Sequence, residues 1–165
     1  MQHFLKDDTI GLRIGHQTLA DGREYMVIVK MTADPGKMVS HIRKRGYTIF
    51  LELFPELAPD QNQELDFYLE ESMINWMSKK IGLTFDAEME TGGNVCFANS
   101  SEIRDDFKIS FSPMDVLNYS HGVLHTTTYN EKTKDFLKTN PLCLAYPKDS
   151  AAFWELVKLG KKSHD

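Results

Sequence analysis

Lys37, His41, Arg43, Lys44 and Arg45 place five basic or titratable side chains within nine positions. Lys and Arg in such a run can neutralise phosphates, and an arginine can offer guanine O6 and N7 a two-donor fork. The same run on a loop also serves as a plain solvated surface, so the bare pattern leaves both roles open. Arg13, His16 and Gln17 follow a strand-like stretch, and Gln17 carries the donor and acceptor that pair with adenine N6 and N7. Lys30, at the end of the next strand-like stretch, is a further basic candidate.

Other patterns carry less chemistry. His121 and His125 stand at i and i+4, a metal-ligand spacing, but the Glu of H-E-x-x-H is missing and no third ligand is near in sequence. The pairs Glu70-Glu71 and Asp105-Asp106 and the set Asp86, Glu88 and Glu90 lack the E-x-K partner that a magnesium-dependent nuclease needs, and read as a solvated acidic face. Tyr119, Tyr129, Phe136, Phe153 and Trp154 could stack on bases, but their spacing and apolar neighbours favour a core. Neither a phosphate-cradling G-x-x-x-x-G-K nor a Gly-rich loop after a strand occurs.

These candidates need elements to hold them. The runs TIGLRIGH, EYMVIVK and YTIFLELF combine β-branched and apolar residues with partial alternation, and predict strands of a small sheet. Met31 to Gly46 reads as an exposed connection with a short helical possibility, and Pro55 to Gln63 as an acidic linker. From Glu64 the spacing of Leu65, Tyr68, Leu69, Met73, Ile74, Met77 and Ile81 predicts an amphipathic helix stopped by Gly82. Thr91 to Asn94 reads as a turn, and Val95 to Phe97 and Phe107 to Phe111 as short extended pieces. Ser112 has the chemistry of an N-cap, with Pro113 at the first helical position and Asp115 in the first turn. The expected fold is α+β: a small mixed β-sheet in the N-terminal half with a helical C-terminal portion packed against it.

The chain has 165 residues and a net charge of −5. That length suits a single domain, residues 1–165, with 1–55 strand-rich and 56–165 mainly helical scaffold. Cys96 and Cys143 show no zinc or redox spacing and read as small buried residues in a reducing compartment. No apolar run reaches the ~18 residues of a membrane span, so a cytoplasmic protein with no membrane partner and no bound metal is expected. An acidic balance is unusual for a phosphate binder. The surplus is local: Glu56 to Glu90 holds nine acids against two bases, whereas Met1 to Pro55 holds eight bases against six acids.

The last third, SPMDVLNYSHGVLHTTTYNEKTKDFLKTNPLCLAYPKDSAAFWELVKLGKK, reads as helix, helix, extended loop and helix. It resembles the closing segment of the target-recognition domain of type ISP-like restriction-modification enzymes and related adenine-specific DNA methyltransferases. The residues that carry the resemblance include Asp115, Leu117, Tyr119, Val123, Leu124, His125, Tyr129, Phe136, Tyr146, Pro147, Phe153, Trp154, Leu156, Val157, Leu159 and Gly160. Upstream, Thr9-Ile10-Gly11-Leu12 with Gln17, YTIFLELFP and WMSKKIGLTF are similar to further elements of the same family.

The resemblance implies a chain that reads DNA sequence and does no chemistry, as a fragment of a larger protein. Its expected partners are double-stranded DNA and the methyltransferase catalytic domain of the parent. S-adenosylmethionine is expected in that catalytic domain and no cofactor in this chain. The N-terminal segment would read DNA and the C-terminal helices would be scaffold, which favours contact roles for Arg13, His16, Gln17, Lys30, Lys37, His41, Arg43, Lys44 and Arg45. Asn140-Pro141-Leu142-Cys143 only echoes the adenine-gripping Asn-Pro-Pro-Tyr motif. A protein-interaction or structural module that keeps the fold without binding DNA is the alternative, supported by the acidic balance.

Overall fold

The computed structural model describes residues 9–30, 38–45, 64–87, 108–126 and 142–162. Strands β1 (Thr9–Thr18) and β2 (Glu24–Lys30) form a hairpin. Its turn closes through Leu19 N–H donating to the Arg23 carbonyl at 2.8 Å and Gly22 N–H to the Leu19 carbonyl at 2.9 Å. Gly22 has φ +83°, a left-handed conformation that glycine adopts without a Cβ penalty. Strands β3 (Met38–Arg45), β4 (Glu64–Glu70) and, much later, β7 (Leu142–Ala145) complete a five-stranded sheet in the order β3-β4-β1-β2-β7. Only β1 and β4 pair parallel within it, so the sheet is mixed, and the expected α+β class holds. Two-residue strands β5 (Thr84–Phe85) and β6 (Ser110–Phe111) pair separately.

Two expectations need correction. Glu64 to Glu70 is a strand, and helix α1 (Glu71–Ile81) begins only after it. ELDFYLE satisfies both periods, because Leu65 and Leu69 are four apart while Leu65, Phe67 and Leu69 alternate. Pairing on both sides, with β1 and β3, decides for the strand, and fully buried Phe67 fits only the alternating pattern. Residues 38–45, expected to form a connection, are the edge strand β3. Charged residues are a usual guard on such an edge. A register shift between Met38 and Ser40 breaks the alternation there and lets both Val39 and Ile42 pack on the core. The expected features at residues 46–63, 88–107 and 127–141, including the YTIFLELF strand, the acidic linker, Cys96, Tyr129 and Phe136, lie outside the described residues.

The expected helix stop at Gly82 and helix cap at Ser112 hold. Gly82 ends α1 at φ +69°, its N–H donating to the Ser78 carbonyl. Helix α2 (Pro113–His125) starts with a capping box: Asp115 N–H donates to Ser112 Oγ at 3.2 Å while Ser112 N–H donates to Asp115 Oδ2 at 2.9 Å. Helix α3 (Ser150–Lys162) closes the fold, with Ala152 N–H donating to Asp149 Oδ1 at 2.8 Å in its first turn.

One face of the sheet, carrying Leu12, Ile14, Met26, Ile28, Phe67, Leu69 and Leu144, packs into a core with Met73 and Met77 of α1, Leu117, Tyr119 and Leu124 of α2, and Phe153, Trp154 and Val157 of α3. The aromatic residues described, Tyr119, Phe153 and Trp154, are thus core and not a stacking platform. Tyr119 also donates its hydroxyl to the Ala145 carbonyl at 2.7 Å, tying α2 to the end of β7. Among the described residues no helix is long and apolar enough to cross a membrane.

Helices α2 and α3 touch backbone to backbone at two glycines. A Cβ on Gly122 would fall 2.0 Å from the Leu156 carbonyl oxygen, and one on Gly160 would fall 1.8 Å from that of Asn118. Neither obstacle is a flexible side chain, so the helices must separate to admit even a methyl group. Gly160→Ala is expected to cost about 1–3 kcal/mol or more through overpacking, read as a lowered urea midpoint. An unchanged midpoint would show that the helices do not approach this closely.

Candidate DNA-reading face

The parallel register of β1 on β4 and the antiparallel register of β3 on β4 bring three strands into line. Arg13 and His41 are both opposite Tyr68, so His41, Tyr68 and Arg13 form one rung across the sheet. Alternation puts them on the face away from the helical core, together with Gly15, Gln17, Asp66 and Glu70.

Arg13 and His41 on this rung each have an acid from β4 beside them. Arg13 Nη1 lies 3.6 Å from Glu70 Oε2, with the arginine side chain 32% exposed. His41 Nε2 lies 3.1 Å from Asp66 Oδ2, with the imidazole 44% exposed and the aspartate 3% exposed. The His41 ring also stacks on Tyr68, with centroids 4.6 Å apart and planes within 9°. Val27 on the same face is buried, so this face is partly enclosed and Arg13 and His41 are among its more accessible groups. The hairpin tip repeats the arrangement: exposed Arg23 donates from Nε to Asp21 Oδ2 at 2.7 Å, and that hydrogen bond holds the Asp21 carboxyl below the usual carboxylate range.

The predicted contact residues separate by position. Gln17 is exposed on the face of Arg13, near the hairpin tip. Arg43, Lys44 and Arg45 lie on edge strand β3, opposite Asp66, Leu65 and Glu64. Lys30 stands in the ladder opposite Leu12. The side chains of these four, and the whole of Lys37, lie outside the described residues. His16 is elsewhere: it follows Leu12 and Ile14 on the core side and is locked at the sheet end. Its ring is parallel to Trp76 of α1 with centroids 5.1 Å apart, Nε2 faces Glu24 Oε2, and Nδ1 is 2.7 Å from the Tyr146 hydroxyl. Thr18 Oγ1 donates to the same Glu24 oxygen at 2.6 Å. With its side chain 13% exposed and both nitrogens engaged, His16 is held as an organising residue and is not presented for base contact.

Sequence reasoning missed Asp66, Tyr68 and Glu70, because their shared face exists only once Glu64–Glu70 is a strand. The histidine pair at metal-ligand spacing is divided: His121 is buried in α2 while His125 is exposed. Among the described residues no group of three His, Cys, Asp or Glu side chains could hold a metal ion. Cys143, expected to be buried, is half-buried on β7, and that burial pushes its thiol pKa up.

The knot around His16 makes a test. Burial, and then the charges of Glu24 and Glu70, push the Tyr146 phenol far up, so it keeps a proton to donate. With Nε2–H directed to Glu24, Nδ1 is the acceptor of that proton. Tyr146→Phe strands the imidazole nitrogen and is expected to cost about 1–3 kcal/mol in urea unfolding. A wild-type midpoint would mean that the bond is not formed in solution.

Comparison with known proteins returned no match among curated proteins and none among solved structures. A family model does match: that of the type ISP C-terminal specificity domain, over residues 1–164. The match leaves out only the final residue of the 165. The chain therefore belongs to the type ISP C-terminal specificity domain family, and its role is target recognition in restriction-modification.

Proposed function

We propose that this chain reads double-stranded DNA for an S-adenosylmethionine-dependent, adenine-specific methyltransferase or restriction-modification enzyme, and that it has no turnover of its own. It docks beside the catalytic domain of the same parent protein, which binds the cofactor and extrudes the adenine. The absence from the sequence of an Asn-Pro-Pro-Tyr motif and of a Gly-rich cofactor loop supports the division of labour.

The observation that carries the DNA reading is the rung. Arg13 and His41 stand on one sheet face, with Gln17 exposed nearby on the same face and Arg43, Lys44 and Arg45 along its edge strand. Arg and Gln are the side chains whose geometry matches guanine and adenine in the major groove, and a basic edge suits the flanking phosphates. The rival role, an interaction module without DNA affinity, draws on the charge of −5 and on the pairing of Arg13 and His41 with acids.

Salt dependence separates the two. If Arg43, Lys44 and Arg45 each meet a phosphate, replacing all three with Ala flattens the plot of log affinity against log salt by about 2.7, at roughly 0.9 per contact. The comparison is best made in the parent enzyme, whose other contacts strengthen binding enough to measure. Identical slopes for wild type and triple variant would remove the β3 edge from the interface. No duplex binding by the parent even at low salt would favour the interaction module.

A further inference from the structure

Asp66 and Glu70 are acids on the face assigned to an anionic ligand, where plain electrostatics would remove them. We propose that they are positioning residues for sequence discrimination: each holds one base-reading side chain, His41 or Arg13, in a fixed orientation and offsets the unspecific pull of this face on phosphate. This rests on the assignment of the β3-β4-β1 face to DNA.

The geometry is specific to that role. Glu70 Oε1 accepts a hydrogen bond from Ser72 Oγ at 2.7 Å, which leaves Oε2 towards Arg13. The carboxylate lies over β1 where position 15 has no side chain: a Cβ on Gly15 would sit 2.5 Å from Glu70 Oε2. At 3.6 Å the contact with Arg13 is an ion pair longer than a hydrogen bond, so it steers the planar guanidinium without consuming its donors. The opposite edge of the fork keeps the two-donor geometry that matches guanine. Asp66, 2% exposed, fixes His41 through Nε2 while Tyr68 fixes the plane of the ring, leaving the Nδ1 edge for a base.

An acid beside each base-reading side chain weakens attraction to phosphates, which every sequence shares, and leaves the directed hydrogen bonds to base edges. Removing the charge should therefore move two affinities in opposite directions. A residue with a purely structural role would lower both together with the melting temperature.

The test uses the parent enzyme, a duplex that the wild-type enzyme enriches from a randomised pool, and a scrambled duplex of the same composition. Glu70→Gln is expected to raise affinity for the scrambled duplex about threefold by relieving like-charge repulsion. It should lower the ratio of selected to scrambled affinity by about tenfold, as Arg13→Ala should. Ser72→Ala, which frees Glu70 without changing charge, should lower the ratio and leave scrambled binding unchanged. Asp66→Asn should act on the orientation of His41 in the same way, and the Glu70 and Ser72 variants carry the test if that buried change unfolds the protein. If Glu70→Gln and Ser72→Ala leave the ratio intact while Arg13→Ala lowers it, the positioning role is wrong and the reading face stands. If Arg13→Ala and His41→Ala both leave it intact, or the wild type enriches no sequence, the reading face itself is wrong.

Discussion

The parallel pairing of β1 with β4 is the constraint on which everything else depends. It joins strands far apart in sequence, and its register alone sets Arg13 beside Tyr68 while the antiparallel partner β3 sets His41 on the other side. Side chains alternate with period two, so a slip of one residue would turn Arg13 into the core and Leu12 or Ile14 out of it. The buried set Leu12, Ile14, Phe67 and Leu69 therefore does more than stabilise the sheet, since it fixes which polar residues can face a ligand. The helices serve that register from behind. Their glycine contacts at 122 and 160 let α2 and α3 come close enough to form one layer over the apolar face.

The acidity of the domain takes on a different meaning in this frame. Asp66 and Glu70 belong to the segment that gives the chain its surplus of negative charge, yet they stand beside His41 and Arg13 on the outer face. A specificity subunit gains little from holding DNA tightly wherever it lands, because unspecific sites vastly outnumber targets. Weak phosphate attraction with oriented donors suits a domain whose parent can supply the remaining grip. The hairpin tip, with Arg23 held by Asp21, repeats the motif at a smaller scale.

Much of this was legible in the sequence. Strands β1 and β2, the Gly82 stop, the Ser112–Asp115 cap and the closing helix follow from local signals that tertiary structure left unchanged. Family membership was legible in the C-terminal residues that form the core, Tyr119, Phe153 and Trp154 among them, because packing against so many neighbours leaves few alternatives. The site was not legible to the same degree. ELDFYLE fits two periods, and only its neighbours in the sheet choose between them. A bulge hid the alternation of β3. His16 looked like a reader because sequence shows that a histidine follows a strand, and not that Tyr146, 130 residues away, closes over it.

The central claim is that DNA meets the β3-β4-β1 face and not the helical layer. Photo-crosslinking compares the two sides directly, with a cross-linker carried on Gln17→Cys near the hairpin tip and, separately, on Lys158→Cys, exposed on α3, both in a background with Cys96 and Cys143 replaced by Ser. The account expects duplex DNA to be captured from position 17 and not from position 158. Capture from position 158 alone would contradict it.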